Sequence, residues 1–132
     1  SYLIRKTDTF LRNWKKNPDR YPLIIKGARQ VGKTETIESL QKKIIVEINF
    51  ITEPAYKTII DEGFSADNIL KLISRIDPSK HFDTGETLLF FDEIQDFPEI
   101  ATSLKFFKEN GKYDVICSGS LLGVQYHRIA SI

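Results

Sequence analysis

Residues 27–34, with the sequence GARQVGKT, constrain the fold of this 132-residue chain more than any other stretch. They match the pattern G-x-x-x-x-G-K-[S/T], the P-loop, in which backbone N–H groups converge on a phosphate chain. Gly27 and Gly32 let the backbone approach the phosphates closely, where a Cβ would clash. Lys33 brings a positive charge to the β- and γ-phosphates, and the hydroxyl of Thr34 is a ligand for Mg²⁺. The spacing therefore predicts a site for a nucleoside triphosphate with magnesium.

The sequence on either side of this loop has the context that the motif requires. Residues 23–25 are a short apolar run, which predicts a buried strand, and apolar residues at helical spacing predict a helix over residues 33–43. The N-terminus of such a helix directs its positive dipole end at the phosphates. We expect the nucleotide to contact the whole loop and the start of that helix: Gly27, Ala28, Arg29, Gln30, Val31, Gly32, Lys33, Thr34 and Glu35.

The composition is that of an ordinary globular protein, with 41% hydrophobic and 28% charged residues. A net charge of +1 argues against a strong electrostatic footprint for nucleic acid. The single cysteine, Cys117, cannot form an internal disulfide, and no apolar stretch reaches the roughly 18 residues of a membrane span. The start of the sequence shows no signal-peptide pattern. We therefore expect one cytoplasmic domain over residues 1–132 that has no contact with a membrane.

Hydrophobic periodicity predicts an alternation of strands and helices. Beyond the elements around the P-loop, it predicts strands over residues 44–48, 88–91 and 115–117, and helices over residues 7–16, 53–61, 65–76 and 97–107. Residues 121–132 have no clear period. This pattern indicates the α/β class, as a three-layer domain with a parallel sheet and right-handed crossovers. Because ligands bind at the carboxyl ends of parallel strands, the polar clusters that follow these strands should converge on one crevice.

The second motif is an apolar run, residues 88–91, followed at once by Asp92 and Glu93. Behind a P-loop this is the Walker B pattern. Asp92 can hold Mg²⁺ opposite Thr34, usually through water, and Glu93 can orient the water that attacks the γ-phosphate. The alternative is an acidic pair without a functional role that faces solvent at a strand end. Gln95, two residues further, fits a contact with nucleotide, a contact with a neighbouring subunit, or a surface position.

The strand over residues 115–117 ends in Ser118, Gly119 and Ser120. The hydroxyl of Ser118 or Ser120 can bond a γ-phosphate oxygen or the attacking water, although Ser-Gly-Ser is also a common turn. Cys117 is interpreted as core packing and Trp14 as a packing anchor, while both histidines, His81 and His127, are interpreted as surface residues. The guanine-reading pattern Asn-Lys-x-Asp is absent, since its nearest match, residues 111–114, has the wrong first residue; this favours ATP.

Three stretches together, residues 27–34, 88–95 and 117–123, resemble the AAA-type P-loop ATPases of bacteria and archaea that carry a GxRQVGKT loop. The opening residues 2–5 and 14–16 are also similar to the lead-in of that family. The resemblance implies strand order 5-1-4-3-2 and binding of Mg-ATP by Lys33, Thr34 and Asp92. It further implies that Glu93 is the catalytic base and that Ser118 is a first sensor.

Members of that family continue past the equivalent of residues 127–129 to a fifth strand and to further domains that often include a DNA-binding-like region. We therefore expect this chain to be an N-terminal piece of the ATPase domain, truncated at its C-terminal end and without the fifth strand. Contact with nucleic acid is expected only through the missing region, and self-association is a further expectation. Arg29 and Arg128 are candidates for an arginine finger, with no support from spacing.

Three functions fit these residues. The first is an ATPase that couples hydrolysis to a conformational task. The second is a switch or adaptor that binds ATP and turns it over slowly. The third is a P-loop kinase acting on a small molecule, which is disfavoured because Glu93 directly after Asp92 suits activation of water.

Overall fold

The computed structural model describes residues 12–26, 44–119 and 129–131. Within them, five strands form one sheet: β1 Leu23–Lys26, β2 Ile44–Asn49, β3 Thr87–Asp92, β4 Asp114–Gly119 and β5 Ile129–Ser131. The sheet has the order β2-β3-β4-β1-β5, and every pair of neighbours is parallel. This confirms the predicted α/β class and the order 5-1-4-3-2.

The fifth strand corrects one of our expectations. We expected the chain to lack it, and this is wrong, because β5 pairs with β1 in the register Ile24–Ile129, Ile25–Ala130 and Lys26–Ser131. A strand of three residues is too short to show a period of two, so residues 121–132 carry no pattern from which it could be predicted.

Apolar side chains of the sheet are buried on both of its faces. Successive residues of a strand point to opposite faces, and β3 is buried along its whole length. Leu89 and Phe91 belong to the larger core cluster, while Leu88 and Phe90 belong to a second cluster against which Trp14 packs. The uninterrupted apolar run of β3 was therefore correctly interpreted as a strand covered on both faces, and Trp14 as a packing anchor.

The helices begin and end at residues suited to these positions. The helical segment α1 (residues 12–16) precedes β1, and α2 (Ala66–Ile76) and α3 (Leu104–Asn110) lie further along the chain. Ser65 is the N-cap of α2, since its side chain accepts a hydrogen bond from the backbone N–H of Asn68 at 3.2 Å. Gly111 ends α3 with a φ of 68°, a left-handed conformation that favours glycine.

Two predicted helices are partly or wholly 3₁₀ in form. Residues 53–61 form the 3₁₀ helix Pro54–Ile60, and the stretch before α3 forms a second one, Pro98–Ser103. A proline occupies the first turn of each, where its missing N–H has no intrahelical partner to lose. The helix predicted over residues 33–43 lies outside the described residues. In the part of the chain that the structure covers, no helix is long and apolar enough to cross a membrane.

An ion pair joins the segment before β1 to the first residue of β4. The guanidinium of Arg20 contacts the carboxylate of Asp114 through Nε to Oδ1 at 2.5 Å and through Nη2 to Oδ2 at 3.0 Å. Its Nη1 also donates to the carbonyl oxygens of Lys15 and Asn17, at the end of α1. This pair lies at the amino end of β4, so it holds α1 to the sheet at the end opposite to the polar strand ends.

Candidate functional site

The carboxyl ends of β1, β4 and β3 are neighbours in the sheet. Lys26, the last residue of β1, pairs with Gly119, the last residue of β4. Phe91 pairs with Cys117, so the next residue of each strand is Asp92 and Ser118, respectively. The P-loop sequence starts at the residue that follows Lys26. The predicted convergence of the strand ends is therefore observed for Asp92, Glu93 and Ser118, whereas residues 27–35, Ser120 and Arg128 lie outside the described residues.

Asp92 ends β3 with its carboxylate held in a defined orientation. Its Oδ1 accepts a hydrogen bond from the backbone N–H of Glu93 at 2.9 Å, and its carbonyl oxygen accepts one from Phe50 at 3.1 Å. The residue is only 6% exposed. Carboxylate oxygens are preferred ligands of Mg²⁺, and a fixed carboxylate at a strand end is suited to that task. The chemistry of this donor fits magnesium.

Glu93 has the most unusual backbone conformation in the described part of the chain. Its φ is 57° and its ψ is 49°, and no other described residue except glycine has a positive φ. A residue other than glycine in this region costs roughly 1–3 kcal/mol, and such residues cluster at functional sites. Glu93 is 5% exposed and leads directly into a short 3₁₀ turn, Ile94–Asp96. Burial argues against the alternative of an acidic pair that faces solvent.

The turn after β3 packs against the end of β4. Gln95 donates from Nε2 to Oε1 of Glu93 at 3.4 Å, which is a long hydrogen bond. A Cβ on Gly119 would lie 2.4 Å from Oε1 of Gln95 and 2.9 Å from the backbone nitrogen of Ile94. Gly119 is therefore needed for this close approach. Our sequence interpretation considered the hydroxyls of the Ser-Gly-Ser stretch and missed its glycine, although a glycine at a strand end is a recognised signal of close backbone approach.

The end of β2 is shaped by a local turn beside Asp92. Asn49 is paired with Asp92 in the sheet, and its Oδ1 accepts hydrogen bonds from the backbone N–H groups of Ile51 and Thr52 at 2.9 and 3.0 Å. The carboxylate of Glu53 in turn accepts one from the N–H of Asn49 at 3.2 Å. This side-chain capping turns the chain away at the sheet edge.

Among the described residues, the remaining candidates have the burial or exposure that the sequence predicted. Ser118 is buried on β4, and Cys117 beside it belongs to the core, where burial raises the pKa of the thiol well above its usual range. Cys117 is therefore a packing residue, as predicted. His81 is exposed, as predicted, and His127 lies outside the described residues.

Taken together, the described groups provide two kinds of chemistry at one end of the sheet. Asp92 can bind a divalent cation, and Glu93 can accept a proton from water. A buried hydroxyl, Ser118, lies on the strand between β3 and β1. This combination is suited to breaking a phosphoanhydride bond of a substrate that is bound at the carboxyl end of β1.

Comparison with known proteins shows the family and the fold of the chain. A family model described as AAA domain matches residues 19–132. No curated protein sequence matches the chain. Among solved structures, the chain is similar to a chain in the structure of Drosophila ORC bound to AT-rich DNA and Cdc6, with a TM-score of 0.52 and 12% identity. It is also similar to a Drosophila ORC chain bound to DNA, with a TM-score of 0.51 and 11% identity.

These structures are larger than the present chain. The first match covers 99% of this chain and 55% of the matched chain, and the second covers 92% of this chain and 80% of the matched chain. At such low identity the likeness concerns the fold alone.

Proposed function

Because the chain belongs to the AAA domain family, we propose that it binds Mg-ATP in front of β1 and hydrolyses it with Glu93 as the base. Membership of this family supports an ATP-binding, ATPase-type function. The observation that carries the assignment to particular residues is the position of Asp92 and Glu93, two buried carboxylates at the end of β3, which only β4 separates from the strand that leads into the P-loop sequence.

Binding is assigned to the P-loop and its flanking helix. Gly27 to Glu35 would surround the phosphates, and Lys33 would supply the positive charge that their β- and γ-oxygens require. Thr34 and Asp92 would hold magnesium, which neutralises charge on the phosphate oxygens when it is bound. The fixed orientation of the Asp92 carboxylate supports this role, because a ligand that is already oriented loses little freedom on binding.

The hydrolytic step is assigned to Glu93. Its carboxylate would orient a water molecule and accept one of its protons as the water oxygen bonds to the γ-phosphorus and the bond to the β-phosphate oxygen breaks. The hydroxyls of Ser118 and Ser120 are the candidates to contact a γ-phosphate oxygen or that water. Low exposure of Glu93 and Ser118 supports a site from which bulk water is excluded.

A nucleotide titration tests the proposal most simply. ATP and GTP are titrated by calorimetry with and without Mg²⁺, and phosphate release is followed in parallel. We expect Mg²⁺-dependent binding of ATP with release of phosphate in the absence of any acceptor. Binding without phosphate release would point instead to a switch or adaptor, and release that requires an added acceptor would point to a kinase.

A further inference from the structure

The proposed base, Glu93, forms a cluster with Gln95 of its own turn and with Gly119 of β4. Glu93 and Gln95 are joined by the hydrogen bond of 3.4 Å from Nε2 to Oε1, and Gln95 lies against Gly119 of β4. The cluster is formed by the 3₁₀ turn after β3 and by the last residue of β4. It therefore connects the two strands whose ends carry Asp92 and Ser118.

The direction of the Gln95 amide follows from its neighbours. The carboxylate of Glu93 can only accept hydrogen bonds when it is ionised, so the amide must present its NH₂ group there. The amide oxygen then faces Gly119, where a Cβ would be only 2.4 Å away. Reversing the amide would set an oxygen against the carboxylate oxygen, which is repulsive. The carboxylate of Glu93 therefore fixes the orientation of the Gln95 amide.

Gly119 cannot be replaced without moving this turn. Besides the side-chain oxygen of Gln95, the backbone nitrogen of Ile94 would lie 2.9 Å from an added Cβ. A flexible side chain could rotate away, but the backbone of Ile94 is fixed between the left-handed residue Glu93 and the rest of the 3₁₀ turn. Gly119 is also the partner of Lys26 in β1, so the same position touches the strand that leads into the P-loop.

A catalytic base is commonly oriented by a neighbouring group that hydrogen-bonds to it. Glu93 has a backbone conformation that few residues adopt, and its side chain could point in several directions from there. We propose that Gln95 is the positioning residue that holds the carboxylate of Glu93 for the attacking water, and that Gly119 is required to make room for it. The inference rests on the proposed hydrolytic role of Glu93. The long hydrogen bond agrees with a contact that tightens when substrate is bound.

The kinetic test is a double-mutant cycle on ATP hydrolysis with Gln95→Leu and Glu93→Gln. Leucine keeps the approximate size of glutamine and removes the donor. We expect Gln95→Leu to lower kcat about tenfold with KM for ATP unchanged, because the contact serves the reacting geometry and not substrate binding. In the Glu93→Gln background the same change should have no further effect, since Gln95 acts through Glu93.

A matched control is Asp96→Asn, at the next position of the same turn. Asp96 is exposed and pairs with Lys57 at 2.9 Å, so its loss should leave kcat unchanged. Equal losses of kcat from Gln95→Leu in both backgrounds would overturn the inference, because Gln95 would then act independently of Glu93. An unchanged kcat in Gln95→Leu would overturn it as well.

A second measurement does not depend on hydrolysis. In ¹⁵N-labelled protein, the side-chain amide resonances of Gln95 should be displaced from the position of a free glutamine, and both Glu93→Gln and Gly119→Ala should shift them. Resonances at the free position that neither variant moves would overturn the inference. Absence of phosphate release from the wild-type protein would contradict the proposed hydrolysis instead, so the two failures are distinguishable.

Discussion

Lys26 and Gly119 are paired in the parallel register of β1 and β4, each as the last residue of its strand. The chain enters the P-loop sequence at the residue after Lys26, and Gly119 lies against the turn that carries Glu93. A nucleotide bound by the P-loop would therefore lie next to β4, the strand whose last residue contacts the turn of the proposed base.

Lys33→Ala should abolish measurable binding of ATP, because the charge that meets the β- and γ-phosphates is removed. Calorimetric titration with Mg-ATP measures the effect. Lys112→Ala is the control, since Lys112 is exposed and precedes β4 at the opposite end of that strand. Unchanged affinity in Lys33→Ala would count against the phosphate site.

Glu93→Gln should retain ATP binding and slow turnover by about 10² or more, because an amide cannot accept the proton of the attacking water. Phosphate release and nucleotide titration are measured on the same sample. Glu99→Gln, an exposed position on the 3₁₀ helix Pro98–Ser103, serves as the control with full activity expected. A Glu93→Gln variant that turns over ATP normally would assign the base to another residue.

Arg20→Met should lower the free energy of unfolding by about 2 kcal/mol, since the carboxylate of Asp114 is left without its bidentate partner. The figure is set below that of a fully buried pair because Arg20 is 25% exposed while Asp114 is 7% exposed. Urea unfolding measures the loss. Lys57→Met, which removes an exposed pair with Asp96, should have little effect. An equal loss of unfolding free energy in the two variants would contradict the claim that the partly buried pair contributes more than the exposed one.

The exposed cluster around Glu62 should contribute to stability in a pH-dependent manner. The hydrogen bond from Lys71, at 2.6 Å, lowers the pKa of the Glu62 carboxyl, and Arg75 at 3.0 Å adds to the shift. A carboxyl whose pKa is lowered in the folded state stabilises the fold above its unfolded pKa, and this stabilisation is lost as the pH falls through the folded pKa.

Thermal unfolding of the wild type and of Glu62→Gln between about pH 6 and about pH 3 tests this behaviour. The wild type should have the higher Tm near pH 6, and the two curves should converge as the pH falls. High salt should reduce the difference, because the pair is exposed and screened. A difference in Tm that grows toward low pH would have the wrong sign for this interaction.

Much of the fold could be predicted because its strands are apolar and their ends are marked by turn residues. The wholly apolar run before Asp92 identified β3 as a buried strand, and apolar residues at helical spacing identified the helix over residues 65–76. The fifth strand could not be predicted, because β5 has three residues and its hydrogen-bonding partner, β1, is far away in the sequence. The 3₁₀ form of two helices was also missed, since periodicity does not distinguish it from an α-helix over six or seven residues.

The positions of the candidate residues at strand ends could be predicted, but the contacts between them could not. Motif spacing placed Asp92, Glu93 and Ser118 at strand ends, which the sheet register bears out. The left-handed backbone of Glu93 depends on the turn it must make at the end of β3, and no local residue preference indicates it. The contact of Gln95 with Gly119 joins residues far apart in the sequence, so it needed the register of the sheet to become visible.

The central claim is that Thr34 and Asp92 share one magnesium ion, and a crystal structure with Mg²⁺ and a non-hydrolysable ATP analogue measures this directly. We predict a metal at about 2.1 Å from Oγ1 of Thr34, with the carboxylate of Asp92 bound to it directly or through one of its waters, within roughly 4–5 Å. An Asp92 carboxylate more than roughly 8 Å from the metal, too distant for one bridging water, would contradict the account.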